Sequence, residues 1–147
     1  MVKICKIKTE ETYNLRHEIL RPQQSLISCQ YAGDQDPTTG HYGAFDSGLL
    51  VGIVSVYKVN NIKLNCGNCW QIRAMATDKN VRNRGYGLLL LRRAERHAYQ
   101  LSPDCIWANA RKNAIGFYEK AGYKVDGPEF VIPDIGPHFL IYRKFDL

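Results

Sequence analysis

The spacing of apolar positions changes several times along the chain, and each change marks an element. Val2, Ile4 and Ile7 alternate with lysines through residues 2–8, which predicts a half-buried strand. TEETYNLRHEILR then places Tyr13, Leu15, Ile19 and Leu20 near helical intervals, with Thr9 able to cap and Pro22 as terminator. Residues 22–40 are the least regular part, a short helical possibility followed by a loop rich in Gly, Asp and Pro. Residues 41–58 hold two aromatic and β-branched runs split by Asp46-Ser47-Gly48, a hairpin signal, and 69–77 (CWQIRAMAT) reads as a third antiparallel strand.

The period then lengthens. From Gly87 to Leu101, Leu91, Ala94, Ala98 and Leu101 share one helical face, and Arg92, Arg93, Arg96 and Gln100 occupy the other. A short buried strand follows over 105–111, then a helix begun by Asn113 and stopped by Gly122, then strands near 123–131 and 138–145. Strand 69–77, helix 87–101 and strand 105–111 make a β-α-β unit, so those two strands are expected to run parallel. The expected architecture is one α/β domain over 1–147: a mostly antiparallel mixed sheet with a central parallel pair and flanking helices.

Composition narrows the class. With 45% hydrophobic and 23% charged residues, the chain has the makeup of a globular domain and not of a disordered one. No apolar run approaches the roughly 20 residues of a membrane span, and the lysine-studded N-terminus reads as a strand instead of a signal peptide. Five cysteines, an odd number, suggest free thiols and a cytoplasmic protein. The pair in CGNC could be half a zinc site, but no second pair at ligand spacing follows, and Gly67-Asn68 reads more simply as a turn, so no metal is expected. The net charge of +6 favours an anionic partner. Between Lys79 and Arg96, six basic residues (Lys79, Arg82, Arg84, Arg92, Arg93, Arg96) face the single acid Glu95.

That basic segment, VRNRGYGLLLLRRAERHAY, turns a strand through glycines into a helix, which leaves backbone N–H groups at the positive end of the helix dipole, an anion seat. Gly85 and Gly87 lack Cβ atoms and admit a phosphate close to the backbone, and Arg82 and Arg84 add charge. A plain strand-to-helix turn explains the same residues. Neither a P-loop nor a dinucleotide fingerprint fits the spacing; the pattern present is R-x-x-G-x-G over Arg82 to Gly87.

MATDKNVRNRGYGLLLL resembles the acetyl-coenzyme A motif of the GNAT superfamily of N-acetyltransferases, and NARKNAIGFYEKAGYK resembles that superfamily's second signature, in matching order and separation over about 75–124. The resemblance implies a GNAT-like fold and acetyl transfer from acetyl-coenzyme A to a primary amine by direct attack in a ternary complex. It places the pyrophosphate on the backbone from Arg82 through Asn83, Arg84, Gly85, Tyr86 and Gly87 to Leu88, and the pantetheine arm along Met75, Ala76 and Thr77 with Asn113 on the other side. It implies a bulge in strand 69–77 and a splay from strand 105–111, an oxyanion donor at the backbone N–H of Met75, and Tyr118 as proton donor to the leaving sulfur. Counting from Asn113 by the helical repeat, Phe117 and Ala121 face the core and Tyr118 faces the cleft, although an ordinary core tyrosine is the bland alternative.

An amine with a pKa near 10 needs a base at neutral pH. Strand 69–77 has no Asp or Glu, so the candidates are Glu18, His41, Glu129 and His138, of which His138 opens the last strand; it reads equally as a turn residue after Pro137. Tyr31, Asp34, Asp36 and Glu129 would suit a cationic acceptor, and Arg16, Arg21 or Arg73 a carboxylate. A small-molecule or peptide amine is the expected acceptor, for a monomer or homodimer that binds neither nucleic acid nor membrane. The rival readings are a catalytically silent coenzyme A-binding domain and a basic nucleic-acid-binding domain.

Overall fold

Strands β1 (Val2–Lys6), β2 (Gly40–Asp46), β3 (Leu49–Lys58), β4 (Cys69–Thr77), β5 (Cys105–Arg111), β6 (Lys124–Ile132) and β7 (Gly136–Lys144) form one sheet in the computed structural model, which describes residues 1–145. Their order is β1-β2-β3-β4-β5-β7-β6. Every neighbouring pair is antiparallel except β4–β5, which is parallel as the intervening helix requires.

That helix, α2 (Tyr86–Tyr99), lays Leu90, Leu91, Ala94 and Ala98 on one face of the sheet, over β3, β2 and β4, in one cluster with Val54 and Val56 of β3, Tyr42 and Ala44 of β2 and Trp70 and Ile72 of β4. Leu101, expected on the same apolar face, falls beyond the helix end and is 48% exposed. On the opposite face Ile7, Leu15, Ile53 and Ala76 form a second cluster under α1 (Tyr13–Leu15). The alternation of the strands sorts side chains between these two faces.

The first helix is not continuous as expected. A 3-10 turn, Thr9–Thr12, leads into α1, which runs into a π-helical turn, Arg16–Leu20. Thr9 does not cap; it is buried and its hydroxyl donates to the Asp34 carbonyl at 3.3 Å, while Glu11 accepts the Lys8 N–H at 2.9 Å. Arg16 at the start of the π turn is fully buried and donates to both Asp34 carboxylate oxygens, at 2.7 and 3.0 Å, and to Ser55 and Tyr57 at 3.0 and 3.1 Å. These partners lie 18 to 41 residues away, so tertiary hydrogen bonding, and not helical periodicity, sets the local path.

A 3-10 turn, Lys112–Ala114, precedes α3 (Ile115–Lys120), so Asn113 sits in that turn and not at the first helical position. Gly122 ends the helix as expected, in the left-handed region at φ 101°, with its N–H on the Glu119 carbonyl (3.1 Å) and the Tyr123 N–H on that of Tyr118 (3.0 Å). The Gly67-Asn68 turn closes a longer β3–β4 connection and donates both its N–H groups to Asp104 Oδ2, at 3.2 and 2.9 Å. Cys66 and Cys69 flanking it are joined as a disulfide, which corrects the expectation of five free thiols; Cys5, Cys29 and Cys105 are free. The Cys105 sulfur lies within 4.8 Å of that pair. Among the described residues, no helix is long and apolar enough to cross a membrane.

Candidate functional site

β4 and β5 pair for only three rungs, Cys69↔Cys105, Trp70↔Ile106 and Gln71↔Trp107, and then separate. On its other side β4 pairs with β3, where the register jumps from Ile53↔Ala76 to Ser55↔Arg73, so that Ala74 and Met75 together oppose Val54. This is the bulge implied by the family resemblance, and Ala74 adopts a left-handed φ of 56° within it. The separation opens a cavity of about 1030 Å³ that passes between the strands, from the α2 and α3 face to the α1 face.

On the α2 side, Met75, Ala76, Thr77, Arg82, Asn83, Gly85, Tyr86, Gly87, Leu88, Asn113 and Tyr118 all line this cavity. Gly85 caps the helix at φ 81°, and a Cβ built there would meet nothing within 4 Å, so the backbone is open on its cavity side. The first bond within the helix is Leu89 N–H to the Gly85 carbonyl, which leaves the N–H groups of Tyr86, Gly87 and Leu88 without an intrahelical acceptor. This arrangement fits a pyrophosphate.

Arg84 does not line the cavity. Its guanidinium stands 3.5 Å from Asp46, which also accepts the Tyr86 hydroxyl at 2.8 Å. The remaining basic cluster is likewise divided: Arg92 is bound to the buried Glu95 at 2.9 Å and Arg93 lies over the Tyr42 ring at 4.2 Å. Arg84, Arg92 and Arg93 are thus taken up by internal partners, Arg96 stays exposed on α2, and Arg82 lines the cavity.

The orientation expected within α3 is reversed in part. Tyr118 is the buried member, at 5% exposure, and Phe117 is half-buried; both line the cavity, as does Ala121. The 3-10 turn before α3 shifts the helical phase relative to a count from Asn113. The Tyr118 ring packs edge-on against Phe117 and Tyr123, with centroids 5.1 and 5.7 Å away, and among the described residues its hydroxyl makes no side-chain hydrogen bond. Burial raises its pKa, so the phenol stays protonated.

On the α1 side the cavity is bounded by Ile19, Leu20, Arg21, Tyr31, Arg73 and Arg111, with His138 and Ile135 from the last hairpin. His138 is 4% exposed, stacks on Phe130, and has Nδ1 2.8 Å from the Gly136 carbonyl. Because a carbonyl oxygen only accepts, that contact requires a proton on Nδ1, which makes Nε2 the acceptor nitrogen of the neutral ring. The other base candidates lie elsewhere. His41 is buried between Ser55 (2.7 Å) and the Asp34 carbonyl (3.0 Å), Glu129 pairs with Lys112 at 2.9 Å, and Glu18 is not a cavity residue. Asp34 is consumed by Arg16, and Asp36 caps Thr38 at 2.9 Å, so neither faces an acceptor. Arg111, which holds the Leu20 carbonyl at 2.6 Å, was not singled out by sequence; only its place at the end of the strand that splays from β4 would have pointed to it.

The sequence model of the acetyltransferase (GNAT) family matches residues 2–123. An uncharacterised N-acetyltransferase of Bacillus subtilis (strain 168), YitI, is 35% identical over 143 residues, spanning 97% of this chain and 96% of that protein. Among solved structures, the IAA acetyltransferase of Bacillus cereus ATCC 14579 superposes with a TM-score of 0.75 at 16% identity, covering 99% of this chain and 100% of the other. An aminoglycoside 6'-N-acetyltransferase complexed with coenzyme A superposes with a TM-score of 0.77 at 14% identity, covering 97% of this chain and 96% of the other. The split parallel pair, the bulge and the glycine-opened helix thus occur in a chain that belongs to the GNAT family of acetyltransferases.

Proposed function

We propose that this protein transfers an acetyl group from acetyl-coenzyme A to a primary amine by direct attack, with both substrates bound at once. The observation that carries this reading is the cavity through the β4–β5 split, which offers an anion seat on one face of the sheet and a histidine with an acceptor Nε2 on the other. Acetyl-coenzyme A supplies an acyl group already activated as a thioester.

The chain's own residues divide the remaining work. The N–H groups of Tyr86, Gly87 and Leu88 hold the pyrophosphate at the positive end of α2, with Arg82 and Asn83 beside them. Beyond Gln71, β4 has no strand partner on its β5 side, so Met75, Ala76 and Thr77 can run beside an extended arm, with Asn113 across the cavity. At the bulge the Met75 N–H donates to the oxygen on which negative charge develops, a contribution of roughly 10²–10³ in rate. His138 accepts the amine proton at Nε2. Tyr118 gives its hydroxyl proton to the departing sulfur, and its raised pKa keeps that proton in place until then. Positioning in one cavity supplies much of the rest.

Thiol release from acetyl-coenzyme A, followed with a broad panel of primary amines, tests the reading. Amine-dependent release with formation of the N-acetyl product is the expected result. Tight acetyl-coenzyme A binding without turnover on any amine would identify a silent cofactor-binding domain instead.

A further inference from the structure

The α1 side of the cavity carries an unneutralised cationic cluster. Arg21 and Arg73 lie over the same Tyr31 ring, with guanidinium carbons 4.7 and 4.4 Å from its centroid. Arg111 reaches the same region through its bond to the Leu20 carbonyl at 2.6 Å. Among the described residues none of the three forms an ion pair, and the Arg73 side chain, set over the Tyr31 and Tyr57 rings, makes no hydrogen bond. The contrast with Arg16, 4.2 Å from the same ring, is direct: Arg16 is answered by both oxygens of Asp34. No Asp or Glu lines any part of the cavity. Burial lowers the pKa of Arg111; the neighbouring Tyr31 opposes that shift, and the charge of Arg21 adds to it.

Three arginines gathered on one wall without a carboxylate are poorly arranged for a polyamine or an aminoglycoside and well arranged for an anion, since guanidinium matches a carboxylate in a two-pronged geometry. Register adds a length. Arg111 on β5 faces His138 on β7 directly across the antiparallel ladder, and such pairs have Cβ atoms roughly 4.5–5.5 Å apart on the same face. An acceptor whose amine meets His138 therefore has its anionic group only a few bonds away.

We infer that the acceptor is an amine that also carries a carboxylate at amino-acid spacing, gripped by Arg21, Arg73 and Arg111 around Tyr31. This rests on the acetyl-transfer reading above. It also names what the acceptor is not: a purely cationic amine finds no counter-charge on this wall.

The test uses matched sets with acetyl-coenzyme A: glycine, L-alanine and L-glutamate, their primary amides, putrescine, and aminoethyl phosphate. The expected result is a kcat/KM at least roughly tenfold higher for the carboxylates than for their amides, the discrimination expected when charged hydrogen bonds are lost. Arg73→Gln is expected to raise KM for the carboxylates roughly 10- to 100-fold and to erase the preference over amides, with the KM for acetyl-coenzyme A unchanged. Calorimetry with N-acetyl-glycine, N-acetyl-L-alanine and N-acetyl-L-glutamate against their amides, in wild type and Arg73→Gln, reads the same grip without turnover. Binding of the carboxylates alone, lost in the variant, upholds the inference even if catalysis fails. Equal or better use of amides or putrescine overturns it, as does preference for aminoethyl phosphate. Absence of both turnover and binding with the carboxylates overturns it too.

Discussion

The Nδ1 atom of His138 lies 2.8 Å from the carbonyl oxygen of Gly136, two residues earlier in the chain. Gly136 can present that carbonyl because it opens β7 at φ 121°, a left-handed conformation that a side chain would strain. The imidazole tautomer is thereby set by its own hairpin. Replacing His138 by Gln is expected to lower kcat by roughly 10²-fold or more while the KM for acetyl-coenzyme A changes little. A folded variant with wild-type kcat in steady-state thiol-release assays would return His138 to a purely structural role.

Tyr118 yields a second prediction. Its ring is core and its hydroxyl is not needed by any described neighbour, so Tyr118→Phe keeps the packing against Phe117 and Tyr123. Turnover is expected to fall roughly 10²-fold, with melting temperature and acetyl-coenzyme A affinity nearly unchanged. Stopped-flow thiol release and thermal melts check both halves; undiminished turnover removes Tyr118 as the proton donor.

At Gly87 a Cβ would rest 3.5 Å from the Phe117 ring, an ordinary contact, so Gly87→Asp is accommodated sterically. The new carboxylate would suit the helix terminus but repel a bound pyrophosphate. Acetyl-coenzyme A affinity measured by calorimetry is expected to drop about 10²-fold while thermal stability is retained. Unaltered affinity in the folded variant would move the pyrophosphate elsewhere.

The Arg16–Asp34 network yields a prediction about pH. Burial alone would raise the Asp34 pKa, but hydrogen bonds from Arg16 and Tyr57 outweigh it and hold the carboxyl below its ordinary value. Burial lowers the pKa of His41, which keeps that ring neutral between Ser55 and the Asp34 carbonyl. Both groups bind protons more readily in the unfolded chain, so stability rises with pH through their ranges. It is expected to be full above about pH 6.5, to decline below that as unfolded His41 takes up a proton, and to fall further below about pH 4 through Asp34. Asp34→Asn leaves Arg16 buried without its counter-charge and is expected to cost about 3–5 kcal/mol, read from urea denaturation at pH 7, with a weaker acid dependence.

Much of this molecule was legible in the chain because local pattern and tertiary need agree. The aromatic and β-branched runs of β2 and β3, the apolar stripe of α2 and the glycine at position 122 each state their structure within a few residues. What was not legible depends on distant partners. The phase of α3 was lost because the 3-10 turn at Lys112–Ala114 precedes it. The bulge is built at Ala74, where no glycine announces a positive φ. The basic residues near the glycines looked alike in sequence, yet Asp46, Glu95 and Tyr42 claim Arg84, Arg92 and Arg93, and only the fold shows which are left over. The same applies to Arg16 and Asp34, which looked available to a substrate and are spent on each other.

The three-rung parallel pair divides the sheet into leaves of four and three strands, β1-β2-β3-β4 and β5-β7-β6. A cofactor arm lying along the unpaired stretch of β4 would then act as a structural member bridging an interrupted ladder. Its binding energy enters the folding equilibrium, adding about 2.7 kcal/mol at a hundredfold excess over Kd. Under the proposed function, the cosubstrate would thus be a stitch between the two leaves as well as a donor of the acyl group.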